Sequence, residues 1–240
     1  MAGQAWLILP TYDEAPNIEA IVRAAVDVLR RAAPEGFRVL VVDDDSPDGT
    51  GRMADALAAE HPGEVEVLHR TEREGLGPAY LAGFAHALER DAAYVFEMDA
   101  DFSHDPADLA RLLDTVRGGA DLALGSRYTR GGAVKDWGLL RRVISRGGCL
   151  YAQVVLGVPV RDLTGGFKCF RAEVLRAIDL PTVRAYGYAF QVELTNRALR
   201  RGFTVVEVPI TFRDRLHGQS KMSLRIAWEA MWLVPRLRGR

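Results

Sequence analysis

Acidic residues and a histidine cluster in one short stretch of this chain, EMDADFSHDP (97–106), which directly follows the apolar run AYVF. Asp99 and Asp101 stand at positions i and i+2 just past this run, so both carboxylates can face one cation. Hard divalent ions such as Mg²⁺ and Mn²⁺ prefer oxygen ligands of this kind. A single Asp-x-Asp pair is more often a solvated loop, so this prediction needs support from elsewhere in the chain.

A second acidic cluster, DDDSPDGTG (43–51), provides that support. In parallel α/β sheets, ligands bind beyond the carboxyl ends of the strands. Two acidic strand ends facing one crevice repel each other unless a metal or a metal–diphosphate neutralises them. Positive charge for the phosphates is available from Arg127, Arg141, Arg142 and the stretch RLHGQSK (215–221). Together these residues indicate a nucleotide-diphosphate site.

Other phosphate and hydrolase motifs are absent or incomplete. The stretch GLGPAY (75–80) begins like a dinucleotide-binding motif but has Tyr80 where the third glycine belongs, and there is no P-loop, Gly-x-Ser-x-Gly or HExxH. The stretch DADFS (99–103) imitates the nucleophile motif of haloacid-dehalogenase-type phosphatases, which place it after their first strand. Here it follows the fourth apolar run. Group transfer from a nucleotide-activated donor is favoured over such a phosphatase and over a binding protein without turnover.

Alternating apolar runs and amphipathic stretches predict the elements that position these residues. The predicted strands are AWLILP, FRVLVVD, VEVLH and AYVFEMD, and helices are expected at about 17–31, after Gly49, after Gly77 and at about 145–156. Residues 129–138 are expected to form a loop. This order indicates an α/β fold with a mostly parallel, Rossmann-like sheet flanked by helices. The first helix should bury one face, formed by Ile18, Ile21, Val22, Ala25, Val28 and Leu29.

Composition limits the other classes of function. The chain has 240 residues, is 48% hydrophobic and has a net charge of −1, so no overall field favours nucleic acid as a partner. Cys149 and Cys169 lack metal-binding spacing and are predicted to be free, buried thiols. The longest apolar run, CLYAQVVLGVPV, is shorter than the ~20 residues of a membrane-spanning helix, and no signal peptide is evident. Neither membrane crossing nor export is expected.

The ordered set of motifs resembles the metal-dependent family 2 glycosyltransferases with a GT-A fold. The resemblance spans about 7–223 and is strongest to the dolichol- or polyprenol-phosphate mannosyltransferases. It is carried by LPTYDE, VVDDDSPDGTG, MDADFSHDP, GSRYTRGG, RRVISRG, DLTGGFK, GYAFQVEL and RLHGQSKMS. Their order and spacing are far more specific than an Asp-x-Asp pair alone.

The resemblance implies a role for individual residues of this chain. The guanine and ribose of GDP-mannose would be held by Pro10, Tyr12, Glu14, Val42 and Asp44. The donor diphosphate would lie against Asp99, Ala100 and Asp101, with both aspartates on Mg²⁺ or Mn²⁺. Some relatives carry a glutamine ligand where this chain has Ser103, so Ser103 is a candidate third metal ligand.

The remaining implied roles concern phosphate groups. Arg127, Arg215 and Lys221 would contact the donor diphosphate and are assigned, with the two aspartates, to catalysis. The acceptor phosphate would lie against Arg127, Arg141 and Ser145.

The resemblance implies transfer of mannose from GDP-mannose to a polyprenyl phosphate with inversion, giving a β-linked product. A UDP-glucose-dependent enzyme is the alternative. The expected place of action is the cytoplasmic face of a membrane, with or without a separate membrane protein as anchor. The catalytic domain is expected at 1–223. The tail at 224–240, which contains Trp228 and Trp232, is expected to form an amphipathic helix that lies on the membrane surface or packs on the domain.

Overall fold

A computed structural model of the chain describes residues 3–183, 187–214 and 234–238. Two sheets are present in this part of the chain, with seven and two strands. The strands are β1 (Ala5–Thr11), β2 (Phe37–Asp43), β3 (Val65–His69), β4 (Tyr94–Glu97), β5 (Leu122–Ser126), β6 (Ala133–Val134), β7 (Lys168–Arg171), β8 (Val205–Pro209) and β9 (Thr211–Phe212).

Helices connect most of these strands. They are α1 (Ile18–Ala32), α2 (Thr50–Glu60), α3 (Leu76–Glu89), α4 (Asp108–Arg117), α5 (Leu139–Leu156), α6 (Ala172–Ala177), a 3₁₀ helix (Leu180–Thr182) and α7 (Gly187–Arg200). A further helical turn covers 234–237. No helix of the described part combines the length and apolar character needed to cross a bilayer.

The large sheet has the order β3-β2-β1-β4-β7-β5-β8. All neighbouring pairs are parallel except those of β7, which runs antiparallel to both β4 and β5. Strands β1, β2, β4 and β5 therefore end at the same edge of the sheet. The predicted fold class, a mostly parallel sheet flanked by helices, is confirmed. Within this sheet, β7 runs opposite to the other six strands.

Apolar side chains cover both faces of this sheet. Helices α1 and α4 pack on one face, and α3 and α7 pack on the other. Gly83 lets α3 approach β1 closely, because a Cβ atom there would lie 2.4 Å from Cγ2 of Ile8. This close approach brings the N-terminal turn of α3 to the edge at which β1 and β4 end.

The local predictions are largely confirmed, with three differences. In α1 Val28 is half-buried, and Val26, which was not in the predicted set, is buried. The predicted loop at 129–138 contains β6, which pairs with β9. The helix expected at about 145–156 begins six residues earlier, at Leu139. Cys149 and Cys169 are free and buried, as predicted.

Candidate active site

Four loops meet where β1, β2, β4 and β5 end. Three of them contain a non-glycine residue with a positive φ: Asp13 at 58°, Asp45 at 58° and Phe102 at 59°. Such residues are uncommon outside glycine and often mark functional loops. The sequence clusters that suggested a nucleotide site therefore share one edge, and the backbone of three of these loops is held in an unusual conformation.

The loop after β4 contains three side chains whose oxygen atoms could coordinate a metal. Asp99 is half-buried, and its Oδ1 accepts a hydrogen bond from the Tyr80 hydroxyl at 3.1 Å. Asp101 is buried, and its Oδ1 accepts the Ser103 N–H at 3.0 Å. The Ser103 hydroxyl is buried and has no hydrogen-bond partner in the described structure. Two carboxylates and an unsatisfied hydroxyl fit a hard divalent cation.

The described residues contain no group of three or more His, Cys, Asp or Glu side chains arranged as a metal site. Asp99, Asp101 and Ser103 would therefore supply only part of the coordination of a cation. Mg²⁺ is commonly bound in this way, with one or two carboxylates supplemented by substrate phosphates and water. A cation at this edge would consequently depend on a bound diphosphate.

Tyr80 is a site residue that the sequence did not reveal. Its ring is buried and stacks with Phe84 and with Phe190, at centroid distances of 5.8 and 6.1 Å. Burial and the nearby Asp99 carboxylate raise the pKa of Tyr80 well above its ordinary value. The hydroxyl therefore stays protonated and donates to Asp99. The stacked rings fix its position, so Tyr80 can orient this carboxylate.

Replacing Tyr80 with phenylalanine should weaken metal activation without unfolding the protein. Loss of a group that orients a metal ligand typically costs 10–100-fold in metal affinity or activity, so we expect the half-saturating metal concentration to rise about tenfold. The sugar transfer that the sequence resemblance implies, measured across a Mn²⁺ titration, tests this. Tyr94→Phe is the matched control, because Tyr94 lies at the far end of β4. An unchanged titration for Tyr80→Phe would show that the hydroxyl does not position Asp99.

A buried ion pair between Lys168 and Glu97 lies at the base of this loop. Lys168 Nζ donates to Glu97 Oε1 at 2.7 Å and to the Gln191 side chain. Burial raises the pKa of Glu97 and lowers that of Lys168, and their pairing opposes both shifts. These contacts join the end of β4 to β7 and α7, two residues before Asp99. They hold the base of the acidic loop in place.

Arg127 lies at the end of β5 and is firmly held. Its Nε and one Nη donate to both carboxylate oxygens of Asp162 at 2.7 and 2.6 Å, and its backbone N–H donates to the same carboxylate at 2.8 Å. The same Nη also donates to the Thr164 hydroxyl at 2.8 Å. Burial acts to raise the pKa of Asp162, but the Arg127 charge and hydrogen bonds outweigh it and keep this pKa low. Contact of Arg127 with a substrate phosphate stays a prediction.

The residues predicted to bind the acceptor lie on one side of the edge. On α5, Ser145 Oγ accepts a hydrogen bond from the Tyr128 hydroxyl at 2.7 Å. The guanidinium of Arg141 lies 4.1 Å from the ring centroid of Trp137, and that of Arg127 lies 5.7 Å from the same ring. The structure thus gathers Arg127, Arg141 and Ser145 around two aromatic rings.

The residues predicted to bind the nucleoside lie at the ends of β1 and β2. Pro10 and Val42 are buried and are partners in the β1–β2 register. Glu14 accepts a hydrogen bond from the Asn17 side chain at 2.8 Å, so it stabilises the loop that leads into α1. These positions remain predicted nucleoside contacts.

Two arginines that the sequence did not single out contact residues predicted to bind the nucleoside. Arg70 pairs with the buried carboxylate of Asp44, which also accepts the Gly75 N–H at 2.9 Å. The guanidinium of Arg73 lies 3.8 Å from the ring centroid of Tyr12. Both arginines follow β3, so the third strand also contributes to this edge.

His104 has a packing role in this structure. Its ring lies 5.0 Å from that of Phe167 and 5.1 Å from that of Phe212. Burial lowers its pKa to about 4, so the imidazole is neutral near pH 7. These contacts indicate a structural role for His104.

Arg215, Lys221 and the tail at 224–233 lie outside the described residues. Their predicted roles, and the domain boundary at 223, stay predictions. The chain immediately before Arg215 is close to the acidic loop, because the Arg213 N–H donates to the Ser103 carbonyl at 3.1 Å.

The strand order and the flanking helices define the GT-A glycosyltransferase fold. A solved mannosyltransferase with this fold, PcManGT from Pyrobaculum calidifontis in complex with GDP-Man and Mn²⁺, superposes with a TM-score of 0.63 at 18% identity. The superposition covers 92% of this chain and 59% of that structure. The chain belongs to glycosyl transferase family 2, whose model matches residues 6–179.

Two curated relatives are similar over nearly the whole chain. Polyprenol monophosphomannose synthase from Mycolicibacterium smegmatis is 50% identical over 98% of this chain and 87% of its own length. Undecaprenyl-phosphate mannosyltransferase from Micrococcus luteus is 50% identical over 95% of this chain and 91% of its own length.

Proposed function

We propose that this protein transfers mannose from GDP-mannose to a polyprenyl phosphate, releasing GDP and forming a β-linked polyprenyl-phosphate mannose. The observation that carries the proposal is the 50% identity to a polyprenol monophosphomannose synthase over 98% of the chain. The acidic edge described above supports it, since it offers carboxylates for a metal–diphosphate beside arginines for a second phosphate. GDP-mannose as donor is supported by the fold shared with a mannosyltransferase solved with GDP-Man.

Asp99, Asp101 and Ser103 are the residues that would hold a divalent metal, Mg²⁺ or Mn²⁺. Such a metal supplies charge stabilisation to a leaving diphosphate. Tyr80 orients Asp99, and the Glu97–Lys168 pair anchors the loop. Held in this way, the two carboxylates would position a metal close to the negative charge that develops on GDP.

The acceptor needs no strong general base, because a phosphate monoester is already anionic at neutral pH. The main task of the protein is to bring two negatively charged groups together and to stabilise the leaving group. Arg127 and Arg141 would orient the acceptor phosphate. Arg215 and Lys221 would neutralise the charge that develops on GDP.

Direct displacement inverts the configuration at the anomeric carbon of mannose. The bond between the anomeric carbon and the acceptor phosphate oxygen forms as the bond to the GDP oxygen breaks, so the α-linkage of GDP-mannose becomes a β-linkage. Anomeric proton and phosphorus couplings of the purified product should show this β-linkage. An α-linked product would contradict direct displacement.

Product formation tests the proposed function. Purified protein with Mn²⁺ and a polyprenyl phosphate is given GDP-mannose or UDP-glucose in separate reactions, and lipid products are analysed by mass spectrometry. We expect a metal-dependent hexosyl-phosphate lipid from GDP-mannose alone. Product from UDP-glucose alone would contradict GDP-mannose as the donor. Release of inorganic phosphate from an aryl phosphate would favour a phosphatase.

A lipid acceptor requires the protein to work at a membrane surface, and a nucleotide-sugar donor favours the cytoplasmic face. The proposed location is therefore peripheral, on that face.

A further inference from the structure

The two arginines predicted to contact the acceptor phosphate are held by carboxylates that differ greatly in burial. Arg127 pairs with Asp162, and their side chains are 5% and 0% exposed. Arg141 pairs with Asp214, and here the side chains are 21% and 39% exposed. A buried pair is costly to break, whereas a partly exposed pair contributes little. Asp214 can therefore leave its arginine far more easily than Asp162 can.

The Asp214 carboxylate occupies the edge of Arg141 that a phosphate would use. A guanidinium binds phosphate best through two parallel hydrogen bonds from one edge. The Nε of Arg141 is buried and has no hydrogen-bond partner in the described structure, so the edge formed by Nε and Nη2 is closed to a ligand. The other edge is formed by Nη1 and Nη2, and Nη1 lies 2.9 and 3.0 Å from the two carboxylate oxygens of Asp214. A two-point contact with phosphate therefore requires Asp214 to move away.

The surroundings of the two arginines leave few alternatives to this contact. The Arg141 guanidinium lies 4.1 Å from the ring centroid of Trp137, which is buried, and attraction to the ring face holds its orientation. Arg127 cannot replace it as a two-point ligand, because its Nε and Nη2 both donate to Asp162. Of the two arginines, Arg141 is thus the one with an edge that a phosphate can reach.

Charge also prevents a phosphate and the Asp214 carboxylate from sharing Arg141. A phosphate monoester carries close to two negative charges at neutral pH. Like charges about 4 Å apart near a protein surface repel each other strongly, so the two anions exclude each other. The same competition acts on the product of transfer, whose phosphate is a diester with one negative charge.

We propose that Asp214 occupies the place of the acceptor phosphate on Arg141, leaves when that phosphate binds, and returns as the product departs. This role for Asp214 rests on the proposed function, because it takes Arg141 as part of the acceptor site. In this role Asp214 weakens the binding of both the monoester and the diester, and thereby helps the product to leave. A residue that only supports Arg141 would have the opposite effect on affinity.

Binding of soluble phosphate esters tests this role without sugar transfer. Citronellyl phosphate serves as the monoester and its methyl ester as the diester, and calorimetry with the full chain gives the dissociation constant of each. Asp214→Asn removes the charge and keeps the size of the side chain, whereas Asp214→Glu keeps the charge. The matched control is Asp136→Asn, which removes an exposed charge next to Trp137. Asparagine tolerates the φ of 62° at Asp136.

We expect Asp214→Asn to bind both esters about three- to fivefold more tightly than the unmodified chain, as loss of a partly exposed competing pair implies. The gain should be equal for the two esters, because Asp214 must leave before either one binds. Asp214→Glu and Asp136→Asn should bind like the unmodified chain. In transfer assays, Asp214→Asn should lower the KM for polyprenyl phosphate by a similar factor and leave the KM for GDP-mannose unchanged. Matching melting curves establish that each variant is folded.

Three results would overturn this role for Asp214 while leaving mannose transfer intact. Weaker binding of both esters by Asp214→Asn would show that the carboxylate supports Arg141. Tighter binding of the monoester alone would show repulsion from a distance without displacement. Equal affinities of Asp214→Asn and the unmodified chain would show that the two anions do not compete. Failure of the unmodified chain to bind either ester is a different result, because it would overturn the acceptor site of the proposed function and this role with it.

Discussion

Replacing Asp101 with alanine should lower mannosyl transfer by about 100-fold or more while leaving the protein folded. Removing a single group that stabilises transition-state charge typically has an effect of this size. Asp101 is buried in the acidic loop, where its Oδ1 accepts a hydrogen bond from the Ser103 N–H. Loss of that one bond costs about 1 kcal/mol of the free energy of unfolding. Initial rates at saturating Mn²⁺, together with a melting curve, separate the two effects.

Asp105→Ala is the matched control for this change. Asp105 is exposed in the same loop, and its carboxylate accepts the Ala107 N–H at 3.0 Å. The control should retain nearly normal transfer. Normal transfer by Asp101→Ala at saturating metal would remove the Asp-x-Asp pair from the mechanism.

The largest expected effect on stability comes from Asp162. Asp162→Asn leaves the buried guanidinium of Arg127 without its counter-charge, and breaking one partner of such a pair costs about 3–5 kcal/mol of the free energy of unfolding. Chemical denaturation at pH 7 measures this loss. Because the folded pKa of Asp162 lies below its ordinary value, its contribution is fully present above about pH 4 and disappears as the pH falls through the folded pKa.

Two further variants make this result specific. Glu60→Gln breaks an exposed pair with Arg23 and should leave the denaturation curve unchanged, because surface pairs contribute little. The double change Arg127→Met with Asp162→Leu removes both charges and should restore much of the stability while transfer stays low. A stable Asp162→Asn variant would show that the pair does not stabilise this edge of the fold.

Periodicity predicted the elements of the sheet well but could not predict its full order. The first helix was expected at about 17–31 and covers Ile18–Ala32. The direction of β7 depends on pairing with β4 and β5, which lie far away in the chain and leave no local pattern. The start of α5 was placed too late, because its first turn is exposed and lacks the buried repeat that marked α1.

Residue types predicted which strand ends would be polar, but not how the side chains there pair. Tyr80 contacts Asp99 nineteen positions away, and Arg127 contacts Asp162 across thirty-five. Asp162 stood within the motif DLTGGFK, so a signal for it was present. Nothing local marked Arg70 or Arg73, because arginines after a strand usually face solvent. Such pairings require the three-dimensional arrangement.

The position of β7 also has a consequence for the order in which the chain folds during synthesis. Strands β1 to β4 and their helices can assemble from the first 117 residues, but β4 and β5 do not pair with each other. Each must wait for Lys168–Arg171 to enter between them. Until the ribosome has released that segment, the nascent chain carries an open strand edge beside Asp99 and Asp101, the predicted metal ligands, and unpaired edges of this kind are where misassembly begins.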